Sequence, residues 1–183
     1  RSCTRCPSKG RSLVDRIRND APVLVVGLGR FGAACAGELD RLGREVLAID
    51  ESHELVQKWS ERVTHTVQAD ARNLEALKQI GAQDFSVAVV AVGSLIEASV
   101  LITANLVDMQ VPQIWAKAVS QAHGKILSRV GAHHVIYPER EAGERVAHLL
   151  LGGQLLRKRR QNAPRKRDVP RLDVHSRPAG DGL

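Results

Sequence analysis

The central part of the chain alternates between short apolar runs and segments of helical periodicity. The first run, Pro22–Gly27, is apolar and closed by a glycine, which is typical of a buried strand. Five further strands are predicted over residues 45–50, 63–68, 85–92, 111–118 and 133–137. Helices are predicted over residues 31–42, 52–62, 73–80, 96–109, 121–130 and 139–151. Strands that alternate with helices pair in parallel through right-handed crossovers, so we expect an α/β fold with a doubly wound, six-stranded parallel sheet and helices on both faces.

The turn after the first strand carries a glycine pattern that suits phosphate binding. Residues 27–32, Gly-Leu-Gly-Arg-Phe-Gly, have the G-x-G-x-x-G spacing of Rossmann-type nucleotide-binding domains. Gly27 allows the tight turn, Gly29 lets a pyrophosphate approach the backbone, and Gly32 lets the helix pack close to the sheet. The helix N-terminus adds free N–H groups. Arg30 either pairs with phosphate or is simply solvated.

The second strand ends in an acidic residue where a ribose would be bound. Asp50 lies eighteen residues after Gly32, at the position where an acid accepts hydrogen bonds from ribose hydroxyls. Glu51 follows directly, so a 2′-phosphate would meet two carboxylates. We therefore expect NADP to be disfavoured.

Residues after the other strands belong to the same ligand-binding edge. Asp70 and Ala71 follow the third strand, Val92 and Gly93 follow the fourth, and Lys117 lies near the end of the fifth. Lys117 either points into the cleft or extends out to solvent.

The net charge of +7 is unevenly distributed. Residues 1–21 carry six basic side chains against two acidic ones, and residues 151–183 carry nine against three. Residues 22–150 carry twelve basic and fifteen acidic side chains, a net charge of −3. A mildly acidic centre argues against a domain whose main task is to bind nucleic acid. The two basic ends are expected to be disordered because they cannot bury a core.

The remaining features favour a soluble cytoplasmic protein. No apolar stretch approaches the roughly 20 residues that span a bilayer, and residues 1–20 lack the apolar segment of a signal peptide. Cys3 and Cys6 form a lone C-x-x-C, which we interpret as incidental thiols, and Cys35 is expected in the core. The tail has no aromatic residue to stack on bases, so we expect no specific nucleic-acid binding. Contact of the tail with anionic lipid remains an open alternative.

Several motifs together resemble the N-terminal RCK domain, the regulator-of-potassium-conductance module of Trk/Ktr-type potassium uptake systems. They are the glycine turn at 27–32, the strand at 45–50, Ala-Asp-Ala at 69–71, Val-Ala-Val-Gly at 90–93, Ile-Trp-Ala-Lys-Ala at 114–118 and Gly-Ala-His-His-Val-Ile-Tyr-Pro-Glu-Arg-Glu-Ala-Gly-Glu-Arg-Val-Ala at 131–147. The resemblance covers residues 22–150. The smaller C-terminal lobe that follows in the family is not recognisable in residues 151–183.

The resemblance implies a regulatory function. In the family the domain binds ATP, ADP or NAD(H), forms homodimers that assemble into a ring, and docks on a membrane potassium-translocating subunit at the inner face of the membrane. The ring changes shape with the bound nucleotide and so gates the pore. The predicted nucleotide-binding residues are Gly27, Gly29, Arg30, Phe31, Gly32, Asp50, Asp70, Ala71, Val92, Gly93 and Lys117.

Glu139 has two possible roles. It matches a family acid associated with a divalent cation at the dimer interface, which implies Mg²⁺ or Ca²⁺ shared between subunits. Pro138 ends the sixth strand, so Glu139 opens the last helix together with Glu141 and Glu144. Carboxylate oxygens suit these cations. A carboxylate at a helix N-terminus also has a purely structural explanation, because it favours the helix dipole and caps free N–H groups.

An NAD-dependent oxidoreductase fragment is the alternative function. Hydride transfer uses the same glycine pattern but needs a substrate pocket and a placed acid or base. The tail leaves no room for a second domain, and the histidines form no evident constellation. His133 and His134 are adjacent on a predicted strand, so their side chains point to opposite sides. We therefore expect a regulatory protein and not an enzyme.

Overall fold

The computed structural model describes residues 21–93 and 95–151. The predictions of disordered basic ends and of incidental thiols at Cys3 and Cys6 fall on residues 1–20 and 152–183, outside the described residues. The described part forms two compact units, of which the first contains the sheet and ends at Glu141 and the second begins at Ala142. In this part of the chain, no helix is both long and apolar enough to cross a membrane.

Six strands form one sheet in which every neighbouring pair is parallel. They are β1 (Val23–Val26), β2 (Val46–Asp50), β3 (His65–Gln68), β4 (Val87–Val90), β5 (Gln113–Lys117) and β6 (His134–Ile136). The strand order is β3-β2-β1-β4-β5-β6. The predicted doubly wound α/β fold is confirmed. Because the order reverses between β1 and β4, a crevice opens at their carboxyl ends.

The helices follow the strands in the predicted alternation. They are α1 (Arg30–Arg41), α2 (His53–Trp59), α3 (Leu74–Gln79), α4 (Ile96–Asp108), α5 (Gln121–Val130) and α6 (Pro138–Leu150). Ser52, Asn73 and Ser120 cap α2, α3 and α5, each through a side-chain oxygen that accepts a backbone N–H. A short 3₁₀ turn at Ala82–Asp84, not predicted, precedes β4.

Each face of the sheet carries its own apolar core. One contains Val25 and Ala48 packed against α1 and α2, and the other contains Ile114 packed against Ile102 of α4 and Leu127 of α5. Val, Leu, Ile and Ala supply most of both cores, as the scarcity of aromatic residues requires. The helices therefore cover both faces of the sheet.

The second helix and third strand are shorter than predicted. Helix α2 ends at Trp59 and not near residue 62, because the chain turns there to bury Val63, which is 5% exposed. The amide of Val46 then donates to the Thr64 hydroxyl at 3.3 Å instead of to a strand carbonyl. The β2–β3 ladder consequently begins at His65.

Leu42 is exposed at the end of the first helix. Helical periodicity predicts it on one apolar face with Phe31, Cys35 and Leu39, but it is 63% exposed because α1 ends at Arg41 and the chain turns away at Gly43 (φ +79°). The most buried positions of α1 are Gly32, Ala33 and Ala36, with larger side chains only flanking them. Cys35 is half-buried, and burial raises the pKa of its thiol.

Gly32 is the point at which α1 comes closest to β1. A Cβ atom there would collide with the carbonyl oxygen of Gly27 and lie 2.8 Å from the Cβ of Ala91. Backbone atoms cannot move aside without displacing the strand. The role of Gly32 in close helix–sheet packing follows directly from this geometry.

Substitution of Gly32 by alanine should therefore destabilise the sheet unit. We expect Gly32→Ala to lower the free energy of unfolding by at least about 1–3 kcal/mol, the usual cost of overpacking. Gly29→Ala is the matched control in the same turn, because a Cβ at Gly29 meets nothing within 4 Å. Its cost should stay below about 1 kcal/mol. Urea denaturation of both variants checks this, and equal losses would contradict the packing argument.

Candidate functional site

A cleft of about 530 Å³ opens at the carboxyl ends of the strands, a volume suited to a small organic ligand. Ten of the eleven predicted nucleotide-binding residues line it, and so does Glu139. These ten are Gly27, Gly29, Arg30, Phe31, Asp50, Asp70, Ala71, Val92, Gly93 and Lys117. The eleventh, Gly32, is buried beneath the turn and does not line the cleft. The topology thus brings together residues that are far apart in sequence.

The glycine turn presents open backbone to the cleft. Gly27 has a φ of +98°, a conformation that glycine adopts without strain, and a Cβ there would lie 3.0 Å from Val92. Gly29 is exposed, has extended backbone and forms the N-cap of α1 with no side-chain cap. A Cβ atom placed on Gly29 would have no neighbouring protein atom within 4 Å. The first N–H groups of α1 are therefore accessible to an anion at this end of the cleft.

The Asp50 carboxylate links the end of β2 to the glycine turn. Its Oδ2 accepts the Leu28 amide at 2.6 Å and its Oδ1 accepts the Ser52 amide at 2.8 Å. Each carboxylate oxygen can accept more than one hydrogen bond. Asp50 is thus held in a fixed position and can still accept ribose hydroxyls.

Lys117 and Glu139 form an ion pair within the cleft. Lys117 Nζ lies 2.6 Å from Glu139 Oε1, and the lysine side chain is only 12% exposed whereas that of Glu139 is 62% exposed. The Lys117 side chain therefore points into the cleft and does not extend out to solvent. A hydrogen bond from Lys117 lowers the pKa of Glu139, and the charge of Arg30 also lowers it. Glu139 is therefore ionised at neutral pH.

Two further groups define the place of the Lys117 side chain. Its Nζ lies 5.9 Å from the centroid of the Phe31 ring, a weak cation–π contact. A Cβ at Gly93 would lie 3.2 Å from Lys117 Cε, so the absence of a side chain at Gly93 leaves room for the lysine stem. The contact with Phe31 places the ammonium group beside the first turn of α1.

Arg72 is the charged residue of the cleft that sequence reasoning missed. Its Nε lies 2.8 Å from Asp70 Oδ1, its Nη2 lies 2.9 Å from Asp70 Oδ2, and the same Nη2 lies 3.4 Å from Glu51 Oε2. The hydrogen bonds from Arg72 lower the pKa of Asp70. Both oxygens of Asp70 are thus engaged by Arg72. The position of Arg72 directly after Asp70-Ala71 was the available signal.

Acidic residues at the start of α6 have different contacts. Glu141 Oε1 accepts the Tyr137 amide at 3.3 Å, so Glu141 caps the helix start while Glu139 pairs with Lys117. Among residues 21–93 and 95–151, no three His, Cys, Asp or Glu side chains are grouped as ligands for a metal ion. Glu139 would therefore need oxygen ligands from another molecule to hold a cation.

His133, just before β6, and His134, its first residue, are directed to different neighbours. His133 Nδ1 accepts the Ile114 amide at 3.1 Å, whereas the His134 ring stacks on Trp115 with centroids 4.0 Å apart. Each ring therefore has a structural partner of its own.

Comparison with known families identifies the domain. The model of the TrkA-N domain matches residues 23–138, which include all of the cleft except Glu139. The chain belongs to the TrkA-N domain family. The resemblance to the N-terminal RCK domain of Trk/Ktr regulators is thereby confirmed.

Two curated relatives belong to potassium uptake systems. The chain is 40% identical over 135 residues to Ktr system potassium uptake protein A of Bacillus subtilis (strain 168), which covers 74% of this chain and 60% of the relative. It is 36% identical over 132 residues to Ktr system potassium uptake protein C of the same strain, covering 72% and 60%. The chain thus spans about 60% of the length of these relatives.

Solved structures with the same fold include nucleotide complexes. The Shewanella denitrificans Kef CTD in its AMP-bound form gives a TM-score of 0.60 at 22% identity, over 72% of this chain and 82% of that one. GsuK bound to ADP gives 0.62 at 12% identity, over 88% and 48%. The GsuK channel bound to NAD gives 0.57 at 12% identity, over 64% and 21%. At these identities the likeness concerns the fold.

Proposed function

We propose that the chain is a nucleotide-binding regulatory component of a potassium uptake transporter. It senses ATP, ADP or NAD(H) and changes the state of a membrane potassium-translocating partner. The observation that carries the proposal is the convergence of an open glycine turn, a fixed ribose-type carboxylate and a cleft-directed lysine in one cavity. The two Ktr relatives and the nucleotide-bound structures of the same fold support it.

Phosphates of the nucleotide bind at the end of the cleft formed by Gly29, Arg30 and Lys117. The exposed N-terminus of α1 donates backbone N–H groups there, and the two cations supply charge-assisted hydrogen bonds. In the structure Lys117 is paired with Glu139. A bound phosphate competes for the same ammonium group, so nucleotide binding changes the environment of Glu139.

The nucleoside binds at the other end of the cleft. Asp50 accepts hydrogen bonds from the ribose hydroxyls, and carboxylates at positions 50, 51 and 70 oppose a 2′-phosphate. The cleft therefore favours ATP, ADP and NAD(H) over NADP(H).

A divalent cation fits as a third component. Glu139 offers one hard oxygen ligand at the phosphate end, and Mg²⁺ commonly combines one or two carboxylates with phosphate oxygens. When bound there, the ion would neutralise phosphate charge. Because the described residues contain no group of three His, Cys, Asp or Glu side chains suited to a metal ion, we propose that a second subunit supplies further ligands.

The signal passes from the cleft to helix α6, whose first turn contains Glu139. Later residues of this helix expose apolar side chains, with Val146 53%, Leu149 73% and Leu150 82% exposed. Such side chains suit contact with a second copy of the chain or with another protein. We propose a cytoplasmic homodimer, able to assemble further, that lies at the inner face of the membrane and binds nucleotide without transforming it.

The glycine turn gives the direct test of nucleotide binding. ATP, ADP and NADH should each raise the melting temperature, with about 2.7 kcal/mol of stabilisation at a hundredfold excess over Kd. Gly29→Val should fold normally, because a Cβ atom at this position lies more than 4 Å from neighbouring protein atoms. It should abolish the ligand-induced rise by blocking the phosphates. An unchanged rise in a well-folded Gly29→Val protein would show that phosphate binds elsewhere.

A second test concerns the ribose. Asp50→Ala should weaken NADH binding by about 1.5–3 kcal/mol, the range for a hydrogen bond to a charged group. Asp50→Ala should also reduce the ratio of the NADPH Kd to the NADH Kd. Isothermal titration with both cofactors measures this, and the unliganded melting temperature controls for loss of the Leu28 contact. NADPH binding as tightly as NADH to the wild type would refute the ribose assignment.

A third test separates the metal role of Glu139 from a structural one. We expect Mg²⁺ or Ca²⁺ to strengthen ATP binding or dimerisation of the wild type but not of Glu139→Gln. Glu141→Gln is the matched control, because Glu141 contacts only the start of its own helix in the described hydrogen bonds. Titration of the ion at saturating ATP, with dimer mass monitored, gives the answer. Identical metal dependence in wild type and Glu139→Gln would exclude the role.

A further inference from the structure

We propose that Arg72 recognises the nucleobase by presenting its guanidinium plane as a stacking surface at the nucleoside end of the cleft. This inference rests on the proposed nucleotide-binding function and assigns a specificity-determining residue to it.

The Arg72 side chain and backbone are both anchored. Asp70 engages the guanidinium through two parallel hydrogen bonds and also accepts the Arg72 amide at 2.9 Å, and Glu51 supplies a third carboxylate oxygen. From α4, Asn105 Nδ2 donates to the Arg72 carbonyl at 2.9 Å. A bidentate Arg–carboxylate pair fixes the orientation of the guanidinium plane as well as its position. Arg72 is thus preorganised although its side chain is 43% exposed.

The charge around Arg72 makes it a poor phosphate ligand. Its guanidinium is compensated by Asp70 and Glu51, and the charge of Glu97 also acts on it. A phosphate that approached Arg72 would meet these three carboxylates. A flat, uncharged group such as a nucleobase can lie against the Arg72 guanidinium without repulsion from these carboxylates.

The contacts place Arg72 beyond the ribose. The Leu28 amide in the glycine turn donates a hydrogen bond to Asp50. Glu51, which follows Asp50 in the sequence, accepts a hydrogen bond from Arg72. The order along the cleft is therefore glycine turn, Asp50, Arg72, which matches the order phosphate, ribose, base. A base next to the ribose of a nucleotide bound at Gly29 consequently reaches Arg72.

Apolar groups complete the compartment for a base. Ala71, Ala98 and Ile102 line the same cleft and are 5%, 6% and 3% exposed. A base enclosed between aliphatic side chains and a guanidinium face has both of its faces covered. Arginine stacks on aromatic rings through its planar, weakly hydrated guanidinium, whereas the lysine ammonium does not.

The test compares ATP with inorganic tripolyphosphate on Arg72→Ala, Arg72→Lys and the wild type. A guanidinium stacked on an aromatic ring contributes about 0.5–2 kcal/mol, so Arg72→Ala should lower ATP affinity by roughly 2- to 30-fold. Tripolyphosphate affinity should change less than twofold, because it occupies only the phosphate end. Arg72→Lys keeps the positive charge but lacks the planar guanidinium group, so it should not restore ATP affinity. Arg41→Ala is the matched control, an exposed arginine paired with Glu38 on α1.

Three outcomes would overturn the role of Arg72 while leaving nucleotide binding intact. They are unchanged ATP affinity in Arg72→Ala, equal losses for ATP and tripolyphosphate, and full restoration by Arg72→Lys. If the wild type binds neither ATP, ADP nor NADH, the proposed function itself fails. Melting temperatures of the unliganded variants show whether each one is folded before its affinity is interpreted.

Discussion

The hydrogen bond from the Leu28 amide to the Asp50 carboxylate is the interaction on which the cleft depends. It joins the glycine turn after β1 to the end of β2 across 22 residues of sequence, at a distance of 2.6 Å. The turn can take this position because Gly27 adopts a positive φ and Gly32 lets α1 lie against β1. One carboxylate therefore sets the spacing between the glycine turn and the end of β2, the places proposed for phosphate and ribose.

The charges of the cleft are separated along its length. Arg30 and Lys117 lie with Glu139 at one end of the cleft, whereas Asp70 and Glu51 pair with Arg72 at the other. Such a distribution would orient the proposed nucleotide, with its charged phosphates at one end and its neutral base at the other. In the proposed complex the phosphates compete with Glu139 for Lys117, which links binding to the first turn of α6.

The fold was predictable because it depends on periodicity along the chain. The central strands β1 and β4 are buried on both faces, so their apolar runs identified them directly. The ends of elements were less predictable, because they depend on contacts with distant residues. Helix α2 ends where Val63 enters the core, and Leu42 is exposed because α1 ends one residue before it. Neither fact is contained in the local sequence.

The sequence by itself determined the glycine turn, the acid at the end of β2 and the strand–helix alternation that puts them at one edge. These are local features, since each follows from residues a few positions apart. Tertiary structure alone decided the partners of the longer side chains. Lys117 meets Glu139 across 22 residues, and Arg72 bridges two loops through Asp70 and Glu51. Long, flexible side chains have many accessible rotamers, and the positions of the neighbouring strands select the one observed.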